Sequence, residues 1–141
     1  MSQLEKLLYT ARVRTSAGRE GTARSSDGRL DVRLSPPGSA GGGTNPEQLL
    51  AAGWSACFIN AIQWEADRMR VALPRPVVID AEVDLGIDQG SLALATRFSV
   101  TLSGIDRGLA AQILGAAHQS CPYCRATRNT IGVAVTLAQP S

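Results

Sequence analysis

Three cysteines carry most of the chemical information in this chain, and they stand in two different surroundings. Cys57 lies in the middle of a long helical pattern, whereas Cys121 and Cys124 enclose a proline and a tyrosine much later in the sequence. Thiols can act as redox groups, as metal ligands or as inert core residues. A redox cysteine generally needs a charged neighbour and a second thiol, and a structural cysteine needs neither. Cys57 is therefore a redox candidate only if the fold supplies both.

A guanidinium held by a carboxylate can supply the charged neighbour that a redox cysteine needs. Glu47 and Cys57 fall on the same predicted helix, ten residues apart, so about 15 Å of helix separates them and they cannot touch. Glu47 can instead meet an arginine from the early loops, and Arg19 is the candidate. A guanidinium held by a carboxylate and directed at a thiol favours the thiolate and can orient a peroxide oxygen. For each residue taken alone, the favoured interpretation is simpler: Glu47 interacts with the helix N-terminus, and Arg19 is a solvated loop residue.

The setting of each thiol leaves alternatives open. Cys57 in an apolar helix is by default a small core residue, since free cysteine is among the most buried residue types. Cys121 precedes Pro122, which can begin a new helical turn and place Cys121 at its N-cap, where a thiolate is favoured. Cys121 can equally end the preceding helix, which disfavours the thiolate. The sequence does not decide between these two positions.

The Cys-Pro-Tyr-Cys motif has two other known uses. In glutaredoxins it opens the first helix of the domain, but only seventeen residues follow Cys124 here, so that interpretation is rejected. A zinc-stabilised structural domain is an alternative, with His118, Cys121 and Cys124 spaced at three residues and Cys57 as a fourth ligand. Zinc sites usually present two close ligand pairs, however, and His118 is more simply a packed or capping side chain.

Alternating and helical patterns predict an α+β fold with mainly antiparallel sheets and a long central helix. Asn45 and Pro46 mark the start of that helix, which continues to about Arg68. Its apolar residues on most sides predict burial in a core or a dimer interface. Asp106 is the predicted cap of a second helix. The predicted strands cover residues 7–14, 29–34, 77–87, 92–102 and 131–137. The N-terminal part is expected to form an antiparallel meander of two or three strands, and a hairpin turn is expected at 88–90.

Composition defines the broad class of protein. With 141 residues, 44% hydrophobic and 18% charged, the chain is expected to form a single domain over residues 1–141. A formal charge of +2, scattered Lys and Arg, and 4% aromatic residues argue against a nucleic-acid partner. The sequence shows neither a secretory signal nor an apolar run long enough to span a membrane, so a cytoplasmic location without a membrane partner is expected. The odd number of cysteines speaks against a structural disulfide framework.

Two long motifs surround the redox candidates. They read Asn45-Pro46-Glu47-Gln48-Leu49 running into Ala51-Ala52-Gly53-Trp54-Ser55-Ala56-Cys57-Phe58, and Ala117-His118-Gln119-Ser120-Cys121-Pro122-Tyr123 followed by Ala126-Thr127-Arg128. Shorter N-terminal motifs are Tyr9-Thr10-Ala11, Gly18-Arg19-Glu20-Gly21 and Ser26-Asp27-Gly28 with Leu30-Asp31-Val32. Together these motifs resemble the OsmC/Ohr family of thiol peroxidases over nearly the whole chain. Tyr123 after Cys121-Pro122 resembles the organic hydroperoxide resistance (Ohr) branch rather than OsmC proper.

The resemblance implies a role for each candidate. Cys57 matches the peroxidatic cysteine, which attacks the peroxide and becomes a sulfenic acid, and Cys121 matches the resolving cysteine, which forms a disulfide with it. Arg19 and Glu47 match the pair that activates the thiolate, and Arg19 also holds the peroxide. No metal and no resident cofactor is implied. Family members are intertwined homodimers that reduce organic and fatty-acid hydroperoxides, and lipoylated proteins or dihydrolipoamide recycle the disulfide.

Two residues depart from the family pattern. Cys124 stands where the family usually has serine; such a thiol can exchange with the Cys57–Cys121 disulfide or bridge to Cys121, although a replacement without a role is the simpler interpretation. Trp54 stands where a smaller aromatic is common and is expected to alter only the shape of a pocket. The expected function is a thiol-dependent organic hydroperoxide peroxidase. The alternatives are an OsmC-type peroxidase of broader peroxide preference and a zinc-stabilised domain that uses His118, Cys121 and Cys124.

Overall fold

The computed structural model describes residues 4–138. The chain divides into two compact units, the first ending at Pro46 and the second beginning at Glu47. Its elements are β1 (Val13–Ser16), β2 (Thr22–Ser25), β3 (Asp31–Arg33), α1 (Pro46–Arg68), β4 (Val78–Asp88), β5 (Ser91–Thr101), α2 (Arg107–Ser120), α3 (Pro122–Thr127) and β6 (Gly132–Leu137). This order confirms the predicted α+β class and adds a short third helix. The organisation as a single domain stays a prediction.

The first unit contains an antiparallel meander in the order β1-β2-β3. A tight turn joins β2 to β3 and is closed by the carboxylate of Asp27. Asp27 Oδ1 accepts hydrogen bonds from the hydroxyl of Ser25 at 2.6 Å and from the backbone N–H of Arg29 at 3.0 Å. These bonds, that of Ser25 above all, hold the pKa of the Asp27 carboxyl below its usual value. The turn thus rests on local side-chain bonds of the kind that Ser and Asp favour.

The prediction of a strand over residues 7–14 is wrong at its beginning, because β1 starts only at Val13. The alternation of apolar and polar residues over 7–14 suggested a half-buried strand, but Leu7, Leu8 and Tyr9 are 67%, 85% and 76% exposed. An alternating pattern shows that a segment is amphipathic, but a strand also needs a neighbour with which to pair. Residues 7–12 form no strand within the part of the chain that the structure describes. The prediction over 29–34 is confirmed by β3.

Helix α1 is the longest helix and contributes one face to the core of the second unit. It begins at Pro46, whose fixed φ and missing N–H suit the first helical position. It ends at Arg68, as predicted, and Arg70 then takes a left-handed backbone with φ 59°. The side chains that α1 buries are Trp54, Phe58, Ala61, Ile62, Glu65 and Ala66. Other sides of the helix remain open in the single chain, and Trp64 is 61% exposed.

The second sheet has the order β4-β5-β6, with β4 and β5 antiparallel and β5 and β6 parallel. Gln89 (φ 50°) and Gly90 (φ 78°) both have the left-handed backbone of a two-residue hairpin turn, which confirms the turn predicted at 88–90. Phe98 and Val100 of β5 are buried in one core with residues of α1 and α2. The α2–α3 segment is the crossover that the parallel pairing of β5 and β6 requires.

Cys121 stands at the corner between the last two helices. Its N–H donates to the carbonyl of Ala117 at 2.8 Å at the end of α2, and its own carbonyl accepts from the N–H of Arg125 at 2.9 Å at the start of α3. Cys121 therefore occupies both positions that the sequence left open: it ends one helix and is the N-cap of the next. The cap predicted for α2 is confirmed, since Asp106 Oδ2 accepts from the N–H of Leu109 at 3.0 Å.

Candidate active site

The structure brings Cys57 and Cys121 together. Cys57 is half-buried on α1, Cys121 is fully buried at the α2–α3 corner, and both thiols are free. Burial raises the pKa of the Cys57 thiol, and the neighbouring Cys121 thiol, to which it is hydrogen-bonded, raises that pKa further. A hydrogen bond from the backbone of Tyr123 lowers it. Two thiols from distant parts of the sequence are thus in contact, as a disulfide-forming pair requires.

Backbone groups in the first turn of α3 affect the pKa of the Cys121 thiol. Burial raises the pKa of the Cys121 thiol, whereas hydrogen bonds from the backbone of Cys124 and of Tyr123 lower it, and the Cys124 thiol raises it. The first N–H groups of a helix have no acceptor within the helix and point towards the N-cap. Tyr123 therefore contacts both Cys57 and Cys121 through its backbone. Sequence reasoning missed this role, since a backbone donor leaves no mark in the residue type.

Cys124 completes a row of three thiols, Cys57, Cys121 and Cys124, which we call the thiol row. Cys124 is 2% exposed, and its Sγ accepts a hydrogen bond from Nε1 of Trp54 at 3.4 Å. The two residues that are expected to depart from the family pattern are therefore in direct contact. Nothing in the sequence signalled this contact, because 70 residues separate the two. Trp54 thus does more than shape a pocket, since it also binds the third sulfur.

Aromatic rings pack around the thiol row. Trp54 lies against Phe98 with ring centroids 4.9 Å apart and is stacked with Tyr123 at 6.2 Å. Phe58 meets Phe98 edge-on at 5.9 Å. Gly53 leaves space for Tyr123, because a Cβ atom at Gly53 would lie 3.3 Å from the Tyr123 hydroxyl oxygen. The thiols therefore stand in apolar surroundings that suit a reactant with a hydrocarbon part.

His118 does not join the cysteines in a metal site. Its ring packs against Phe58 with centroids 6.2 Å apart, and its Nδ1 atom is buried without a hydrogen-bond partner among residues 4–138. Over the same residues, no group of three or more His, Cys, Asp or Glu side chains is arranged to hold a metal ion. The zinc alternative, which needs His118 beside Cys121 and Cys124, thus lacks a ligand set in the described chain.

Arg19 and Glu47 belong to different units of the chain. Arg19 is exposed on a short 3-10 turn, and a Cβ atom at the following Gly21 would overlap the carbonyl oxygen of Ser16, so the turn requires glycine there. Glu47 lies in the first turn of α1, where a carboxylate interacts favourably with the helix dipole. Neither residue is without an interaction partner. Their pairing beside Cys57 stays a prediction.

Comparison with known proteins gives the family. A family model described as OsmC-like protein matches residues 36–136. The organic hydroperoxide resistance protein of Xanthomonas axonopodis pv. citri (strain 306) is 44% identical over 142 residues, which cover 98% of this chain and 100% of the relative. The protein OhrB of Bacillus subtilis (strain 168) is 36% identical over 92% of this chain and 98% of its own length.

Comparison with solved structures indicates the same family as comparison with the sequence relatives. The crystal structure of Bacillus subtilis OhrB superposes with a TM-score of 0.88, covering 94% of this chain and 100% of that one at 36% identity. A putative organic hydroperoxide resistance protein from Vibrio cholerae, with captopril bound in one of its active sites, has a TM-score of 0.89 at 37% identity, covering 96% and 95% of the two chains. The chain therefore belongs to the OsmC-like protein family. Within it, the resemblance is to the organic hydroperoxide resistance branch, as the motifs predicted.

Membrane insertion of a helix finds no support in the structure. Among residues 4–138, no helix combines the length and the apolar character that crossing a bilayer demands.

Proposed function

We propose that this protein is a cysteine-based peroxidase that reduces organic and fatty-acid hydroperoxides to alcohols. The observation that carries the proposal is the contact between the half-buried Cys57 and the buried Cys121 in apolar surroundings. The names of the relatives support it, since the proteins from Xanthomonas and Bacillus are called organic hydroperoxide resistance proteins.

The proposed reaction has two steps at the thiols. The Cys57 thiolate attacks one oxygen of the hydroperoxide, the O–O bond breaks, and the alkoxide leaves and takes a proton to become the alcohol. Cys57 is left as a sulfenic acid. The Cys121 thiol then attacks the Cys57 sulfur, and water leaves as the disulfide forms. The backbone N–H of Tyr123 supports both steps, because it stabilises negative charge on either sulfur.

A dithiol is the proposed reductant. Dihydrolipoamide, or the lipoyl group of a lipoylated protein, attacks the Cys57–Cys121 disulfide, and its second thiol closes a cyclic disulfide that leaves both cysteines reduced. No metal or resident cofactor takes part in this scheme. We place the protein in the cytoplasm, where dithiols remain reduced.

We also propose a homodimer. Several apolar side chains stay exposed in the single chain, and large exposed apolar residues commonly mark surfaces that another protein covers. Within the first unit they include Leu4, Leu7, Leu8 and Tyr9, and within the second Trp64, Ile87 and Leu92. A second copy of this chain is the partner that the family resemblance implies.

Substrate preference tests the proposed function. Purified protein with dihydrolipoamide is expected to turn over tert-butyl hydroperoxide and a fatty-acid hydroperoxide faster than hydrogen peroxide, because the thiols lie among apolar rings. Consumption of each peroxide is measured at equal enzyme concentration. Equal rates for all three would favour an OsmC-type peroxidase of broader preference, and no turnover by fully reduced protein would refute the peroxidase.

Arg19→Ala is expected to shift the pH at which Cys57 becomes reactive. The surroundings of Cys57 within the second unit raise its pKa, so a reactive thiolate at neutral pH needs a positive charge, which we assign to Arg19 with Glu47. Removing that charge raises the pKa again, and the alkylation rate of Cys57 at neutral pH falls by about tenfold or more. The rate is measured as a function of pH.

Two control variants make the Arg19 result specific. Arg14→Ala removes another exposed arginine of the first unit and is expected to leave the pH profile unchanged. Arg19→Lys keeps the charge and is expected to recover part of the rate. An Arg19→Ala protein with an unchanged pH profile but a lower melting temperature would show that Arg19 is structural and would contradict the assignment.

A further inference from the structure

Cys124 is a buried thiol that the proposed mechanism does not use. It lies one helical turn after Cys121, at the third position of the helix that Cys121 caps, and both residues are buried in the same core. Cys121 in turn contacts Cys57. Cys121 is therefore the middle member of the thiol row, with a possible disulfide partner on either side.

The start of α3 favours a bond between Cys121 and Cys124. Cys121 is the N-cap, a proline follows it, and Cys124 is the third helical residue. Side chains at the N-cap and at the third position face each other, as in a capping box. Two cysteines with this spacing at a helix N-terminus also form the Cys-X-X-Cys arrangement of disulfide oxidoreductases. The two sulfurs therefore need only small movements to meet.

Trp54 fixes the third sulfur beside this pair. Its Nε1 donates to Cys124 Sγ at 3.4 Å, and its ring is fully buried between Phe98 and Tyr123. A rigid indole on one side and Cys121 on the other restrict the positions that the Cys124 sulfur can take. Packing thus places Cys124 beside Cys121 in the reduced chain.

We propose that Cys124 takes over the disulfide from Cys57. The Cys124 sulfur, after losing its proton, attacks the Cys121 sulfur of the Cys57–Cys121 disulfide. That S–S bond breaks, Cys57 leaves as a thiolate, and a Cys121–Cys124 disulfide remains. One disulfide is present before and after the exchange, so no further oxidant is consumed, and Cys57 can recover the proton that Cys124 lost.

The exchange would free Cys57 before any reductant arrives. A chain that has reduced one hydroperoxide then stores its oxidation in the Cys121–Cys124 pair and presents Cys57 to a second hydroperoxide. The inference rests on the proposed function, because the hydroperoxide makes the first disulfide.

Peptide mapping separates the possible disulfides. Trypsin cleaves after arginine and releases Cys57 in the peptide 34–68 and the other two cysteines in the peptide 108–125. Fully reduced protein receives one equivalent of tert-butyl hydroperoxide, and samples are quenched over time with acid and N-ethylmaleimide before digestion. A Cys57–Cys121 bond links the two peptides, whereas a Cys121–Cys124 bond forms a loop within 108–125. We expect the linked form first and the loop form later, when 34–68 carries N-ethylmaleimide at Cys57.

Cys124→Ser is the matched control. Serine can accept the hydrogen bond from Trp54 but cannot form a disulfide, so the linked form is expected to persist and alkylated Cys57 to stay near zero. Cys57→Ser treated with the hydroperoxide is expected to form no loop. The proposal is overturned if the linked form persists equally in the wild-type protein, or if Cys57→Ser forms the loop as fast as the wild-type protein does.

A second oxidant keeps this test independent of the proposed function. If the hydroperoxide oxidises no cysteine, the peroxidase proposal fails, and the exchange is tested with diamide, which oxidises thiols to disulfides. Diamide-treated wild-type protein is expected to finish in the loop form. A linked form that remains stable after diamide would overturn the exchange itself.

Discussion

Cys57→Ser is expected to lose hydroperoxide turnover by about a thousandfold or more, the size of effect seen when an enzyme loses its nucleophile. A thiolate is a strong nucleophile towards peroxide oxygen, and a serine hydroxyl stays protonated near neutral pH. Serine is nearly the size of cysteine, and Cys57 is only half-buried, so the fold is expected to survive. The measurement is the consumption of tert-butyl hydroperoxide with dihydrolipoamide in excess.

Ser55→Ala provides the control for helix α1. Ser55 lies two residues before Cys57 on the same helix and is also half-buried. Its replacement is expected to leave turnover within a factor of about two, since it removes neither thiol. Retained turnover in Cys57→Ser, with a normal melting curve, would show that another group attacks the peroxide and would refute the proposed mechanism.

Cys121→Ser is expected to reduce its first equivalent of hydroperoxide rapidly and to use further equivalents only in overoxidising Cys57. The first step needs only Cys57, so it should keep a rapid single turnover. Without its resolving partner, the Cys57 sulfenic acid meets further peroxide and proceeds to sulfinic and sulfonic acids, which dithiols do not reverse. Intact-mass measurement after increasing peroxide is expected to show successive additions of oxygen to the variant and loss of two hydrogens from the wild-type protein.

The Cys121→Ser variant also tests whether Cys124 can form a disulfide directly with Cys57. An intramolecular disulfide in this variant would mean that Cys124 resolves Cys57 directly, which contradicts a row in which Cys121 stands between them. Dihydrolipoamide is then added to the oxidised variant. Full recovery of activity after several equivalents of peroxide would contradict the role given to Cys121.

Much of the fold was predictable because its signals are local. Pro46 and Asp106 mark helix starts by their own conformational preferences, and Gln89-Gly90 forms the turn of the hairpin predicted at 88–90. The first strand was less predictable, since the exposed segment from Leu7 to Arg12 has the alternation of a strand but forms no strand among residues 4–138. Pairing depends on the rest of the molecule, which an alternating pattern does not report.

The candidate site was predictable in its parts but not in its contacts. Cys57 and Cys121 could be named from their motifs, yet their meeting depends on the crossover that packs α2 and α3 beside α1. The bond between Trp54 and Cys124 depends on the same packing. The corner at Cys121 was ambiguous for another reason, since one residue serves as the end of one helix and the cap of the next.

Gly53 lowers the stability of helix α1 but leaves space for the side chain of Tyr123. Alanine in the middle of a helix is normally more favourable than glycine by about 1 kcal/mol, so a search for thermostable variants would select Gly53→Ala. Yet the added methyl group would crowd the hydroxyl of Tyr123, whose backbone lowers the pKa of both the Cys57 and the Cys121 thiol. A sturdier helix would therefore come with a small displacement of the Tyr123 ring. Engineers who seek a robust version of this protein should look for stability elsewhere in the chain.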